Sequence, residues 1–152
     1  MDLSELYSNY KQVLFYDDSL PYVGRLFSTV SKIDLDYILI INDTDTIIKK
    51  DDVVIEELYK IAVNNNIDRI DLQYQNVNVN PHTHHMNVKL NEKDYILVQQ
   101  KNIKAYVYNV NPSIWKLSSW LKLLENFKTI GYRQIEIYAQ EYCRKNFNIY
   151  KI

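Results

Sequence analysis

Two acidic pairs, each just beyond a short apolar run, are the residues of this chain best suited to chemistry. Asp17 and Asp18 follow Val13-Leu14-Phe15-Tyr16, while Asp43 and Asp45 follow Tyr37-Ile38-Leu39-Ile40-Ile41 by way of Asn42. Two carboxylates one residue apart at a strand exit can face a hard divalent cation together, directly or through water. Mg²⁺ and Mn²⁺ favour oxygen ligands and often bridge to a substrate diphosphate. A metal so placed neutralises charge on a departing diphosphate. Asp43-Thr44-Asp45 equally suits a solvated turn in which Asp43 caps the loop backbone, because short motifs recur by chance. His82, His84 and His85 stand in Pro-His-Thr-His-His. Alternating imidazoles on an extended loop can share a metal, alone or as additional ligands beside Asp43 and Asp45, or can simply be solvated.

These residues need a scaffold, and the order of apolar patterns supplies one. Residues 2–10 read as a short helix. Residues 13–16, an unbroken apolar run before a polar loop, read as a buried parallel strand. Val23, Leu26, Phe27 and Val30 give residues 20–31 a helical spacing. Residues 36–41 form the strongest strand pattern of the chain. Asp51 or Asp52 can cap a helix over residues 53–64, which Asn64-Asn65-Asn66 ends. Residues 67–74 read as a strand and 76–87 as the loop that holds the histidines. Residues 95–99 and 105–110 read as a hairpin around Lys101-Asn102. Helices follow over 113–127 and 132–145, then a last strand over 147–152. The alternation of strand and helix at the front predicts right-handed crossovers. The fold class is therefore α/β: one three-layer domain over residues 1–152, with a mainly parallel mixed sheet. Ligands of such sheets gather at the carboxyl ends of the strands, where both acidic pairs stand.

Composition removes several function classes. The chain has 152 residues, a net charge of −1 and no dense Lys/Arg run, which argues against nucleic acid and anionic membrane surfaces. With 2 glycines, Gly-rich phosphate cradles are excluded. A single cysteine, Cys143, allows no internal disulfide and fits a reducing compartment. No signal-peptide core or membrane-length apolar run is present, so a cytoplasmic location is expected. Trp115 reads as core; Trp120 can stack on a sugar ring or pack.

The ordered set VLFYDDS, DYILIINDTDTI, NVNPSIWKLSSWLKLLENF and YRQIEIY resembles the GT-A-type nucleotide-sugar glycosyltransferases, from about residue 13 to residue 136. The first segment resembles that family's Asp-Asp-x-Ser strand, which implies nucleotide binding by Asp17 or Asp18. The second resembles its Asp-x-Asp strand, which implies a Mn²⁺ or Mg²⁺ ion held by Asp43 and Asp45. The third resembles a Pro-x-x-Trp segment in which a strand gives way to the helix lining the acceptor side. The fourth resembles the segment bearing the acidic base of inverting members, which implies that role for Glu136. On its own terms Glu136 also suits an exposed helix position beside Arg133 or Gln140. Members of the family begin with a strand and loop for the nucleotide base. Here residues 2–10 stand first, so the resemblance implies an N-terminally shortened domain with an exposed sheet edge through which copies can associate. Two functions are implied. One is metal-dependent transfer from a nucleotide-sugar donor to a glycan or protein acceptor; the other is a non-catalytic glycan-binding or protein-interaction module.

Overall fold

The computed structural model describes residues 14–41, 51–73, 84–101 and 107–152. They form an α/β domain with a mixed six-stranded sheet and, among the described residues, four helices. In chain order these are α1 (Tyr22–Val30), β1 (Tyr37–Ile40), α2 (Asp52–Asn64), β2 (Arg69–Asp71), β3 (His85–Leu90), β4 (Lys93–Gln99), β5 (Ser113–Lys116), α3 (Leu117–Asn126), α4 (Tyr132–Asn146) and β6 (Ile149–Lys151).

The sheet order is β1-β5-β2-β6-β4-β3. Among the described residues only the β2–β6 pair is parallel; β5 runs antiparallel to both β1 and β2, and β4 runs antiparallel to both β3 and β6. The expectation of a mainly parallel sheet is thus corrected. Its cause is β5, a strand of four residues hidden at the head of what reads as one helix over 113–127. Ile114 packs on one side of the sheet and Trp115 on the other, so Ser-Ile-Trp-Lys meets the needs of a strand buried on both faces. The carboxyl ends of β1, β2 and β6 still point to one edge of the sheet, because β1 and β2 flank the antiparallel β5.

Three further expectations change. Leu14, Phe15 and Tyr16 have no regular structure, and Phe15 is 72% exposed, so these residues are no buried strand; Val13 lies outside the described residues. Of the expected hairpin of 95–99 with 105–110, residues 102–106 lie outside the described residues and 107–110 form no strand; a hairpin joins β3 to β4 instead. Its two-residue turn has Asn91 at φ 46° and Glu92 at φ 64°, the left-handed pair that tight hairpins use. Residues 85–87, placed in the histidine loop by their polarity, open β3. The helix of residues 2–10 and the remaining loop 76–83 lie outside the described residues.

Each face of the sheet has its own core. Leu58 and Ala62 of α2 cover Ile70, Ile114 and Tyr150 on one side. On the other, α1, α3 and α4 bring Val23, Leu123, Leu124, Ile135, Ala139 and Cys143 onto Trp115 and Ile149. The three layers therefore follow the sequence reading. α2 is capped as expected: Asp51 accepts the Val54 N–H at 3.2 Å, and the chain turns away at Asn66, whose φ is 48°. Asp68 accepts the Ser119 hydroxyl and, at 2.7 Å, the Asn148 N–H, which ties β2 to α3 and β6.

Gly24 is the closest point between α1 and the turn after α3. A Cβ there would sit 2.8 Å from the Lys128 carbonyl oxygen, a backbone atom that cannot swing aside. Two effects compete in Gly24→Ala: helix propensity favours alanine by about 1 kcal/mol, and overpacking costs about 1–3 kcal/mol. The clash should win. The urea midpoint of Gly24→Ala is expected below that of the parent, and a rise would show that the turn yields freely.

Candidate functional site

The carboxyl ends of β1, β2 and β6 carry an unusual load of buried polarity. Arg69 and Asp71, two apart on β2, point to the same face, as do their register partners Trp115 and Ser113 on β5 and Ile149 and Lys151 on β6. Arg69 is fully buried, and Asp71 and Lys151 nearly so. Asp71 Oδ2 lies 3.7 Å from both the Arg69 guanidinium and the Lys151 ammonium, and at 3.1 Å it accepts a hydrogen bond from Asn109 Nδ2. One carboxylate therefore serves two buried cations.

Arg69 does more than balance charge. Its guanidinium donates to the carbonyl of Val107 (3.0 Å), the carbonyl of Asn109 (3.1 Å) and the Asn109 side-chain oxygen (2.6 Å). It lies over the rings of Tyr108 and Trp115, at 5.6 and 5.4 Å from their centroids. Cation–π contacts reach about 2 kcal/mol when desolvated. They offset part of the burial of its Nε, which has no hydrogen-bond partner. Burial pulls the Arg69 pKa down, Asp71 opposes the shift, and an arginine remains protonated regardless. Burial likewise pushes the Tyr108 phenol up.

Residues 107–111 are irregular yet packed between the sheet and α4. From the other side, Gln140 accepts the N–H groups of Val107 (2.7 Å) and Tyr108 (3.1 Å) and donates to the Tyr108 carbonyl at 2.6 Å. Glu136 Oε1 accepts the Val110 N–H at 3.0 Å. Glu136 and Gln140, four apart on α4, thus share one inward face. Cys143, one turn further, is buried, and burial pushes its thiol up to about 12, which keeps it an inert neutral thiol.

The segment so held forms one wall of a cavity of about 130 Å³ at the carboxyl end of β1. Tyr22, Ile41, Asn109, Asn111, Ser113 and Trp120 are among its lining residues. Trp115 and Trp120 both reach it although they lie five apart, because one sits on β5 and the other on α3.

The residues singled out in the sequence fall as follows. Asp17 Oδ1 accepts the N–H (2.9 Å) and hydroxyl (2.6 Å) of Ser19, bonds that hold its carboxyl below the usual range. Asp18 pairs with Arg25 at 3.0 Å, and Arg25 also grips the carbonyls of Asp18 and Leu20. This turn leads directly into α1, whose Tyr22 and Leu26 line the cavity with Ile40 and Ile41, so it stands at the same end of the sheet as the exit of β1. Glu136 points inward to the cavity wall, not to the outer face of α4. Asp43, Asp45 and His82 lie outside the described residues. His84 Nδ1 is 3.0 Å from the Tyr150 hydroxyl, and His85, next in line, opens β3. Among the described residues, no group of three or more His, Cys, Asp or Glu side chains is arranged to hold a metal ion. Among them, too, no helix is long and apolar enough to cross a membrane.

Arg69, Asp71, Lys151, Asn109 and Gln140 escaped the sequence reading. Asp68-Arg69-Ile70-Asp71-Leu72 alternates like a strand with one wet face, and nothing local says that the polar face is the buried one. No family model matches the chain, and no curated protein matches it.

Removing one partner of a buried charge cluster costs about 3–5 kcal/mol. Asp71→Asn, which strands two cations, is expected to lose that much in urea unfolding. Lys151→Met should cost far less, because Asp71 keeps Arg69 as its counter-charge. Equal costs, or a loss under about 1 kcal/mol for Asp71→Asn, would refute the shared-carboxylate arrangement.

Proposed function

We propose that this chain is a glycosyltransferase of GT-A type, moving a sugar from a nucleotide-sugar donor to a glycan or protein acceptor with Mn²⁺ or Mg²⁺. The observation that carries this reading is the cavity at the carboxyl end of β1, the strand that runs into Asn42-Asp43-Thr44-Asp45. Its volume of about 130 Å³ is close to that of cavities known to admit a single six-membered ring. Trp120 is packed in the core and reaches the cavity only at its lining, where Tyr22 and the amide and hydroxyl groups of Asn109, Asn111 and Ser113 join it in a mixed apolar and polar surface that suits a sugar. The run of β5 into α3 without a loop also agrees with the strand-to-helix Pro-x-x-Trp segment of the family it resembles.

Asp43 and Asp45 offer an all-oxygen donor pair, which fits a hard divalent cation that keeps part of its shell for water and phosphate. When bound, that cation would offset the charge of a leaving diphosphate. The acidic turn at Asp17 and Asp18 would meet the nucleoside at the same end of the sheet. Glu136 would take the proton of the acceptor hydroxyl. Accepting one amide N–H leaves a carboxylate with further lone pairs for that role.

A second reading, a non-catalytic binding module, draws on a specific observation: Asp18 is already paired with Arg25, and Glu136 is already bonded to Val110. The two readings separate by experiment. Nucleotide sugars with Mn²⁺ should raise the melting temperature, since a ligand at 100 times its Kd adds about 2.7 kcal/mol. Asp43→Asn/Asp45→Asn should abolish the Mn²⁺-dependent part. A metal response that survives this pair of changes would relocate the ion, with His82, His84 and His85 the next ligands to replace.

Glu136→Gln keeps the shape and removes the base. An enzyme should lose roughly 10²-fold or more in kcat with donor binding nearly intact. Full turnover in Glu136→Gln, measured with the same donor, would reduce Glu136 to a positioning residue for residues 107–111.

A further inference from the structure

We infer that the cavity at the carboxyl end of β1 takes a neutral sugar ring and holds it by hydrogen bonds from the Tyr108 hydroxyl and the indole N–H groups of Trp115 and Trp120, an assignment that rests on reading this cavity as the sugar site of a glycosyltransferase. A buried tyrosine hydroxyl or tryptophan N–H ordinarily finds a hydrogen-bond partner. Here Tyr108 is 4% exposed, Trp115 1% and Trp120 6%, yet none of their three polar side-chain atoms has a partner among the described residues. Nor are these atoms sealed in. Among the described residues, the buried side-chain atom without a partner is the Arg69 Nε. Tyr108, Trp115 and Trp120 all line the one cavity, and that is the space their donors share. Burial pushes the Tyr108 phenol up, so it stays a protonated donor at neutral pH.

Two acceptors complete the set. The Ser113 hydroxyl donates to the Asn111 carbonyl at 3.1 Å, and the Asn111 carboxamide donates to Gln73. Each of these lining side chains keeps an oxygen lone pair. A sugar hydroxyl both donates and accepts, and so matches both kinds of group.

Charge narrows the class. Among the described residues that line the cavity, none is charged. Arg69, against Tyr108 and Trp115, already has Asp71 at 3.7 Å as its counter-ion. A carboxylate on the ring would enter with no cation to pair with, and an unpaired buried charge is strongly disfavoured. An ammonium group only donates and would leave the three donors unmet. A nucleobase binds by stacking on aromatic faces. The Arg69 guanidinium lies over the rings of Tyr108 and Trp115, at 5.6 and 5.4 Å from their centroids. Their edges, with N–H and O–H groups, are what remains for a ligand.

The test is an NMR titration of the 152-residue chain, read at the indole N–H signals. The chain has 2 tryptophans, so these signals report on the two indole donors directly. The probes are methyl glycosides of neutral hexoses and pentoses, the methyl glycoside of a uronic acid, that of an amino sugar with a free ammonium group, and uridine. At least one neutral glycoside should shift both indole signals to saturation. The two charged rings and uridine should leave them in place at the same concentration. Tyr108→Phe removes a hydroxyl that has no partner in the chain; it should fold as the parent does and weaken the neutral glycoside roughly 3- to 10-fold. Should Tyr108→Phe fail to fold, the titration of the parent decides alone. Indole signals that no neutral glycoside moves, or that a charged ring or uridine moves as readily, would overturn the inference, as would an unchanged Kd in folded Tyr108→Phe. Transfer is judged apart. Nucleotide sugars that leave the melting temperature unchanged with Mn²⁺ tell against a transferase, while a neutral ring that still reaches the indoles keeps the cavity as a sugar site. Donors that stabilise the chain while no free ring moves the indole signals would overturn this inference alone.

Discussion

Residues 107–111 have no regular structure, yet Val107 and Tyr108 are buried and the next three residues half-buried, so their backbone polar groups must find partners there. An unpaired buried N–H or C=O costs about as much as a lost hydrogen bond, so a buried irregular segment survives only where side chains take the place of a ladder. Arg69 does this from the sheet, and Gln140 and Glu136 do it from α4. The guanidinium is the group best matched to the task. It presents several donors in a fixed plane, aimed here at two carbonyls and one amide oxygen, while its faces rest on Tyr108 and Trp115. The charge this brings inside is what Asp71 must answer, and Lys151 draws on the same carboxylate.

That constraint shapes the site. Because residues 107–111 are pinned over the face of β2, the chain enters β5 at Ser113 from the carboxyl end of β1 and β2. β5 is thereby forced to run antiparallel between them. β5 thus accounts for two of the four antiparallel pairs among the described residues, and the segment that leads into it forms the wall of the cavity beside Ile41. Asn109 and Asn111 reach the cavity only because Arg69, Gln73 and Asp71 hold their side chains. A polar network of this kind specifies one arrangement when every member is satisfied. Among the described residues, the Arg69 Nε is a buried atom that stands outside it.

Much of the scaffold could be read from the residues, and the reasons for the failures are physical. α1 announced itself by apolar spacing and α2 by its flanking signals, of which Asp51 is the cap. Residues 36–41, the most apolar run, also form a strand, but one at the rim of the sheet: strength of pattern measures β-propensity, not centrality. β5 was hidden because Ser-Ile-Trp-Lys continues smoothly into a helical period and strand ends leave no mark in four residues. β6 is central although Ile-Tyr-Lys ends in a charged residue. Of the candidate site, Glu136 was singled out only through the family resemblance, and on its own terms it suited an exposed helix position, because its inward side is set by residues 107–111 across space. The Arg69 cluster was not legible, because burial of a polar strand face is likewise decided by what lies across space.

The central claim is that the working end of this domain is the carboxyl edge of β1 and β2, walled by residues 107–111. It is tested most directly by amide chemical shifts in an NMR titration with nucleotide sugars and Mg²⁺. The account predicts perturbations concentrated at Tyr22, Ile41, Val110, Asn111 and Ser113. The amino ends of β2 and β6, reported by Asn65, Asn66 and Asn148, should stay still. Perturbations centred on those three asparagines, or none from any donor at saturating concentration, would contradict it.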